Sequence, residues 1–447
     1  MAGKLKFIHT ADIHLGSILH LSCDPREDIL DLVNNSTYYA FEYICSFAIE
    51  NNVDFIIISG DLYDKEARSV RASKFFIEQC ERLRENNIKV YLIYGNHDPL
   101  TKETDIFHMP DNVFTFDSNN ANSIDYFNRD GELAARIVGQ SYKTAAESRK
   151  MHKTYVVPDN SVYNIGLLHT QLNSNNKNYV PSTSIELKEN VNIDYWALGH
   201  IHKFNIVNKD TPTIVYPGIP QGRDIGEEGM GGIILAEVED KSLINLQYIT
   251  TSLVVWKKVE IKIDEDKENI PENLSDLEDI MLKKAESIVE EYNNISKING
   301  TIENPPLKGF VVQWIISGMG AINDIIKQSR DEIVQVLTKS LNDKLLNNLP
   351  FILSDSIEFK TSTFDLNIDK IIAENQIFRE VDKVVQCCFR DDKMKMDLLK
   401  AMGDVYEYSD DVENYNEQKL QIDEKELSEI ILKARQLAFE KLLERGD

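Results

Sequence analysis

Short polar motifs follow apolar runs at five places in the first half of the chain: Asp12 and His14 in ADIH, Asp61 and Asp64 in SGDLYD, Asn96, His97 and Asp98 in YGNHD, His169 in LLHT, and His200 and His202 in LGHIH. Carboxylates, imidazoles and one carboxamide, with no thiolate among them, suit Mn, Fe, Mg or Zn better than they suit an all-cysteine structural zinc site. Seven of these residues are candidate ligands: Asp12, His14, Asp61, Asn96, His169, His200 and His202. That exceeds the roughly four to six donors one such ion takes. Two divalent ions sharing Asp61 account for all seven. A pair about 3.5–4 Å apart activates water while neutralising phosphate oxygens, so the reaction class is phosphoester hydrolysis. His97 can supply a proton beside that phosphate near neutral pH. Five of the nine histidines fall in this pattern, which single surface or core histidines do not explain.

These motifs need a scaffold that gathers them. Leu5 to His9, Asp54 to Ser59 and Lys89 to Tyr94 read as buried strands, with helices over Thr37 to Glu50 and Val70 to Asn86 between them. This βαβαβ opening predicts an α/β domain whose strand-end loops converge on one site. Arg136 to Val138, Tyr163 to Leu168, Tyr195 to Leu198, Thr213 to Tyr216 and Gly231 to Ala236 are short apolar runs, expected to form a second sheet packed on the first. After Trp256 an acidic, proline-containing stretch leads into a second βαβαβ-like unit: a helix over Leu277 to Tyr292, a strand over Gly309 to Ile316, a long helix over Ala321 to Leu346 and a strand over Ile357 to Thr361. Beyond residue 363 the pattern is helical, ending in a stripe of Leu427, Ile430, Ile431, Ala434, Leu437, Ala438 and Leu442 that needs a surface to cover. The division expected is 1–258, 259–362 and 363–447.

The chain has 447 residues and a formal net charge of −25, of which −15 lies after residue 260. Overall charge therefore excludes free adhesion to DNA or to an anionic membrane. Nucleic acid would have to be held by a local basic patch, by metal ions or by a basic partner. Five cysteines without a paired CxxC motif fit a reducing, cytoplasmic setting. The opening MAGKLKFIHTADIHLG reads as a strand and a motif rather than a signal peptide, and no run of about 18 apolar residues suggests a membrane span.

The run DIH, GDxxD, GNHD, H, GHIH resembles the calcineurin-like metallophosphoesterases over residues 5–205. The fuller contexts FIHTADIHLG, DFIIISGDLYD, VYLIYGNHDP, DYWALGHIHK and YPGIPQGRDIGEEGMGG resemble the SbcD-type DNA double-strand-break repair exonucleases, above all their YhaO-like bacterial branch. The resemblance implies an α/β fold of two sheets sandwiched between helices, a smaller α/β capping domain, and a helical C-terminal segment that docks the coiled-coil base of an SbcC-like ATPase. It implies a manganese-dependent nuclease acting 3′ to 5′ from DNA ends, with single-strand nicking and a homodimer as further expectations.

Carried over residue by residue, Asp12, His14 and His202 resemble ligands of one Mn ion, Asp61 the bridge, and Asn96, His169 and His200 ligands of the other. His97 resembles the histidine that protonates or steadies the leaving oxygen, while Asp98 either orients His97 or caps the loop. The sequence departs from the family at Asp64, where many members carry a histidine; a carboxylate there can hold a ligand histidine or water but donates no proton. Arg68, Arg71 and Arg223 are candidate phosphate contacts or ordinary scaffold residues, Trp196 is read as core, and Cys387 and Cys388 as buried or interfacial. The competing functions are hydrolysis of a non-DNA phosphoester, such as a phosphoprotein or cyclic nucleotide, and a scaffold without activity. The latter predicts losses among the seven ligands, and none is missing.

Overall fold

The computed structural model describes residues 4–64, 69–100, 108–190, 192–267, 269–298, 307–362, 372, 375–402, 406–408, 420–422 and 424–444. It separates into two compact units, 1–363 and 364–447. Arg68 lies outside the described residues.

The first unit is built on two six-stranded sheets. In one, β1 (Leu5–Thr10), β2 (Phe55–Ser59), β3 (Lys89–Ile93) and β4 (Val113–Thr115) run parallel, flanked by antiparallel β11 (Gly232–Glu239) and β12 (Ser242–Thr250). The second also has four parallel strands, β6 (Leu133–Gly139), β7 (Tyr163–His169), β8 (Tyr195–Gly199) and β10 (Thr213–Tyr216), but here one antiparallel strand lies at each edge, β5 (Asn122–Phe127) and β9 (Asn205–Asn208), whereas β11 and β12 both lie on the β1 side of the first sheet. Alternation along each strand divides the burial. Phe55 and Ile57 face the layer between the sheets with Phe7, Tyr91, Ile165, Leu167 and Tyr195. Ile56 and Ile58 face α2 (Ser36–Glu50) and α3 (Val70–Glu85), packing on Phe41, Ile44, Phe76 and Leu83. The outer face of the second sheet buries Trp196 and Leu198 with Leu187 of the short α4 (Ser184–Lys188). Both faces of each sheet are covered, which is why the central strands read as unbroken apolar runs. Trp196 is core, as its setting predicts.

A three-stranded parallel sheet follows, β13 (Val254–Lys262), β14 (Gly309–Met319) and β15 (Phe351–Ser362), beginning before the expected boundary at 258. One face carries α5 (Leu274–Ile298) and α7 (Arg330–Leu345), with Trp314, Met281 and Leu341 at the contact. The other packs Trp256, Val311 and Leu353 on Ile29 and Val33 of α1 (Glu27–Asn34). The long helix expected over 321–346 is two: α6 (Ile322–Gln328) precedes α7, and Ser329, at φ −145° and ψ 45°, leaves the helical region. Periodicity misses the break because Ile322, Ile326, Ile333, Leu337 and Leu341 keep near-helical spacing across it.

In the second unit, α8 (Gln376–Arg390), α9 (Asp392–Met402) and α10 (Glu424–Glu444) enclose a small core of Leu399, Leu427 and Ile431. It is not wholly helical, since β16 (Tyr406–Tyr408) and β17 (Leu420–Ile422) pair in parallel. Leu437 of the expected stripe is exposed, and so is Cys387, while Cys388 is half-buried, so of the two readings for this pair Cys387 is not the buried one. Among the described residues no helix is long and apolar enough to cross a membrane.

Candidate metal centre

The strand ends do what the motifs require. β1 delivers Asp12 and His14, β2 Asp61 and Asp64, β3 Asn96, His97 and Asp98, β7 ends on His169, and β8 delivers His200 and His202. The loops are tied together by backbone: Asp12 N–H donates to the Gly60 carbonyl at 3.0 Å, and His14 N–H to that of Asp61 at 3.1 Å. Asp12, His14, Asp61 and His200 all have positive φ (51°, 46°, 51° and 97°), a strained choice for side chains that the surrounding ties hold in place. Two glycines make the approach possible. A Cβ on Gly199 would sit 2.0 Å from the Ser59 carbonyl oxygen, and Gly60, at φ +96°, would place one 2.3 Å from His169 Nδ1.

Two of three donor groups share Asp12, the third being His14, Asp64 and His97 at the rim. Ligand atoms of Asp12, His14 and His202 lie within 4.8 Å of one another, and so do those of Asp12, Asp61 and His169. Asp12 therefore stands in both groups, a sharing that the sequence reading gives to Asp61. Around the second group, Asn96 Oδ1 lies 2.9 Å from His169 Nε2 and 3.0 Å from His200 Nδ1, and Asp61 Oδ2 lies 3.3 Å from His169 Nε2. All seven expected ligands are thus brought together.

Hydrogen-bond logic tests whether these residues suit cations. His14 Nδ1 donates to Asp64 at 2.7 Å and His202 Nδ1 donates to Glu227 at 2.6 Å. With both Nδ1 protons so committed, a neutral ring has only a lone pair left at Nε2, and the two Nε2 atoms lie 3.4 Å apart, with Asp12 Oδ1 3.9 Å from that of His202. Facing lone pairs repel unless a cation sits among them. His169 repeats the arrangement: its Nδ1 donates to the Ser59 carbonyl at 2.9 Å, so Nε2 faces the acceptors Asn96 Oδ1 and Asp61 Oδ2. A carboxylate or carbonyl on the far nitrogen is what holds a ligating imidazole in its tautomer. The donor set fits two clustered metal sites.

The electrostatics agree. Burial opposes charge on His169, yet Asp61 and Asp12 outweigh it and lift its pKa to about 9, showing how strongly the place favours a positive charge. Burial, then the charge of His169, pushes His200 down to about 3. At the rim, the hydrogen bond that His97 donates to Asp64 raises its pKa above the usual imidazole value despite partial burial.

Three non-ligand residues take clear places. Asp64 Oδ1 accepts from His14 Nδ1 and, at 3.0 Å, from His97 Nδ1, so it holds a candidate ligand and the candidate proton donor together. Its other oxygen meets Ser17 Oγ and, at 3.1 Å, Arg223 Nη1. Asp98 does not orient His97: its oxygens accept backbone N–H groups of Leu62 (2.8 Å), Tyr63 (3.1 Å) and Gly95 (2.8 Å), which makes it the loop cap. Burial and the neighbouring Asp61 push its pKa up to about 7. Arg71 is drawn away from the site, bonding Asn35 at 2.7 Å and lying over the Tyr38 ring. Glu227 is the functional residue that sequence reasoning missed. Its only signal was a carboxylate in the glycine-rich stretch GRDIGEEGMGG, where nothing points to His202.

The family description "Calcineurin-like phosphoesterase" matches residues 5–204, the stretch that carries all seven donors. These residues have the fold of that family, two β-sheets flanked by helices. The chain is 35% identical over 269 residues to the uncharacterized metallophosphoesterase YhaO of Bacillus subtilis, covering 60% of this chain and 65% of that protein. It is 27% identical over 251 residues to the DNA double-strand break repair protein Mre11 of Archaeoglobus fulgidus, covering 50% of this chain and 52% of the relative. A solved dimetal phosphatase from Danio rerio aligns with 56% of this chain and 99% of its own length at 10% identity and a TM-score of 0.33. The domain is related to the Mre11 and YhaO branch of the superfamily, and the chain spans between half and two thirds of these two curated relatives.

Proposed function

We propose that the chain is a metal-dependent phosphodiesterase of the SbcD type that hydrolyses DNA, acting 3′ to 5′ on duplex ends with manganese as its metal and with some single-strand nicking. The observation that carries the reading is the close approach of the His14 and His202 Nε2 atoms beside Asp12, next to a second donor group and to His97 at the open rim. When bound, two divalent ions supply Lewis acidity toward phosphate oxygens and acidify water. Asp12, His14 and His202 would hold one ion, and Asp61, His169, Asn96 and His200 the other with Asp12 between them.

The chain's own part is positional and protonic. His97 is 44% exposed, unlike the buried ligands, so it can meet a substrate. Asp64 occupies its Nδ1 and favours the protonated ring, leaving Nε2–H to donate to the departing 3′ or 5′ oxygen as the P–O bond breaks. Asp98 fixes the loops that carry Asp61 and Asn96. The three-stranded sheet unit is the capping domain that positions the strand. With a net charge of −25, grip on DNA would come from an SbcC-like coiled-coil ATPase partner docked on the helical segment beyond residue 363, and a homodimer would present two DNA ends.

The test uses end-labelled linear duplex, circular single-stranded DNA and a small phosphodiester with added Mn. Asp61→Ala should abolish cleavage, and His97→Ala should lower kcat by about 10²–10⁴-fold while the protein still binds metal. Turnover of the small ester alone, without DNA cleavage even when the ATPase partner is added, would sink the nuclease reading and leave a general phosphodiesterase.

A further inference from the structure

Arg223 and Glu227 lie on the loop between β10 and β11, outside the matched family stretch and about 25 residues beyond the last candidate ligand. The loop touches the metal centre at two points. Glu227 Oε1 accepts from His202 Nδ1 at 2.6 Å, and Arg223 Nη1 donates to Asp64 at 3.1 Å. Arg223 also spans to Glu227, from Nη2 to Oε1 at 2.6 Å and from its backbone N–H to Oε2 at 2.8 Å. One guanidinium therefore ties together the two carboxylates that fix Nδ1 of His14, His97 and His202. Its fork suits this task, which a single ammonium cannot reproduce.

The same loop is bound on its other side to the first strand of the three-stranded sheet. Gln221 Nε2 donates to the Val254 carbonyl at 2.7 Å, and its Oε1 accepts from Leu253 N–H at 2.9 Å. Trp256 Nε1 donates to the Gly222 carbonyl at 3.0 Å, while Gly229 N–H donates to the Trp256 carbonyl at 3.0 Å. Lys258 N–H completes the series on Glu228 Oε1 at 3.0 Å. Each end of the loop segment is thus clipped to β13, and its middle is clipped to the metal centre.

We propose that residues 221–229 form a strap through which the three-stranded unit sets the His14–His202 metal position, with Glu227 and Arg223 as positioning residues. The inference rests on the two-metal reading above and adds to it a route from the three-stranded sheet to one ion and not the other. Among the described residues, His169 and His200 have no hydrogen bond to the strap: they meet Ser59, Asn96, Asp61, Asp12 and the rings of Tyr142 and Tyr179. A displacement of β13 would therefore loosen one metal position selectively.

Calorimetric titration of Mn into the full chain tests it. The parent should bind two ions. Glu227→Gln keeps an oxygen for His202 but removes the charge, and one of the two affinities should fall by about 10–100-fold while the other holds. Arg223→Lys should fall between that variant and the parent. Trp256→Phe, which removes the hydrogen bond to the Gly222 carbonyl, should weaken the same ion by about threefold, the scale of one neutral hydrogen bond. Hydrolysis of a small phosphodiester by Glu227→Gln should recover its kcat at excess Mn. Equal weakening of both ions, or unchanged affinities with only a lower melting temperature, would overturn the strap. A parent that binds fewer than two ions would instead overturn the two-metal reading, so the two failures are told apart.

Discussion

The two halves of the metal centre are held by different materials. On one side His169 and His200 sit where β7 and β8 end, with the far nitrogen of His169 on a main-chain carbonyl of β2 and two glycines giving the room. On the other, His14 and His202 depend on side chains, Asp64 and Glu227, bridged by Arg223. The first half is as rigid as the sheets, because its acceptor cannot be removed without removing the strand. The second half can be adjusted one side chain at a time, and it is the half that other parts of the molecule can reach.

The comparison breaks most severely at Gly199. A methyl group there would lie 2.0 Å from the Ser59 oxygen, with no flexible atom to yield, so Gly199→Ala should cost more than about 3 kcal/mol. Chemical denaturation would show it, together with loss of activity; a parent-like transition would mean the strand-end half is as adaptable as the other. Next comes Asp98, which clamps the β2 and β3 loops through three backbone N–H groups. Asp98→Ala leaves buried donors unpaired at about 1–3 kcal/mol and should lower stability without changing which residue holds His97. If the variant instead shifts the pH dependence of turnover as His97→Ala does, the assignment of His97 to Asp64 is wrong.

The smallest effect sharpens the view of the rigid half from below. His9 on β1 is buried under the strand ends, with Nε2 on the Leu198 carbonyl and Nδ1 on the Tyr195 hydroxyl, both at 3.1 Å. Burial lowers its pKa to about 3 from the usual 6.5. The unfolded chain therefore takes up a proton below pH 6.5 that the native state refuses. Its contribution is whole above that pH and declines as pH falls toward 3, by up to roughly 1.4 kcal/mol per unit. Unfolding measured at pH 7.5 and 5.5 should show this slope, reduced in His9→Gln; an equal slope in the variant would place the acid sensitivity elsewhere.

Much of the rigid half was legible beforehand, and for a physical reason. Buried parallel strands such as FIIIS and YWALG are apolar on both faces, and a charged or imidazole residue directly after one must sit at the sheet's end, where the loops of neighbouring strands meet. That rule singled out the seven residues that the structure brings together. It could not find His9, because a histidine inside an apolar strand carries no mark of the carbonyl and hydroxyl that satisfy it. Nor could it choose between the two roles of Asp98, since both place a carboxylate one residue beyond His97.

By itself, then, the sequence determined which chemistry is available: strand-end carboxylates, imidazoles and a carboxamide in numbers that call for two cations. Only the tertiary structure decided who holds whom. Asp64 takes both His14 and His97, Asp12 stands in both donor groups, and Glu227 reaches His202 from a loop fastened to β13. Periodicity reports burial, which is a property of neighbours along the chain. The partner of a buried hydrogen bond is chosen by whatever the fold brings within about 3 Å, and no local pattern records that choice.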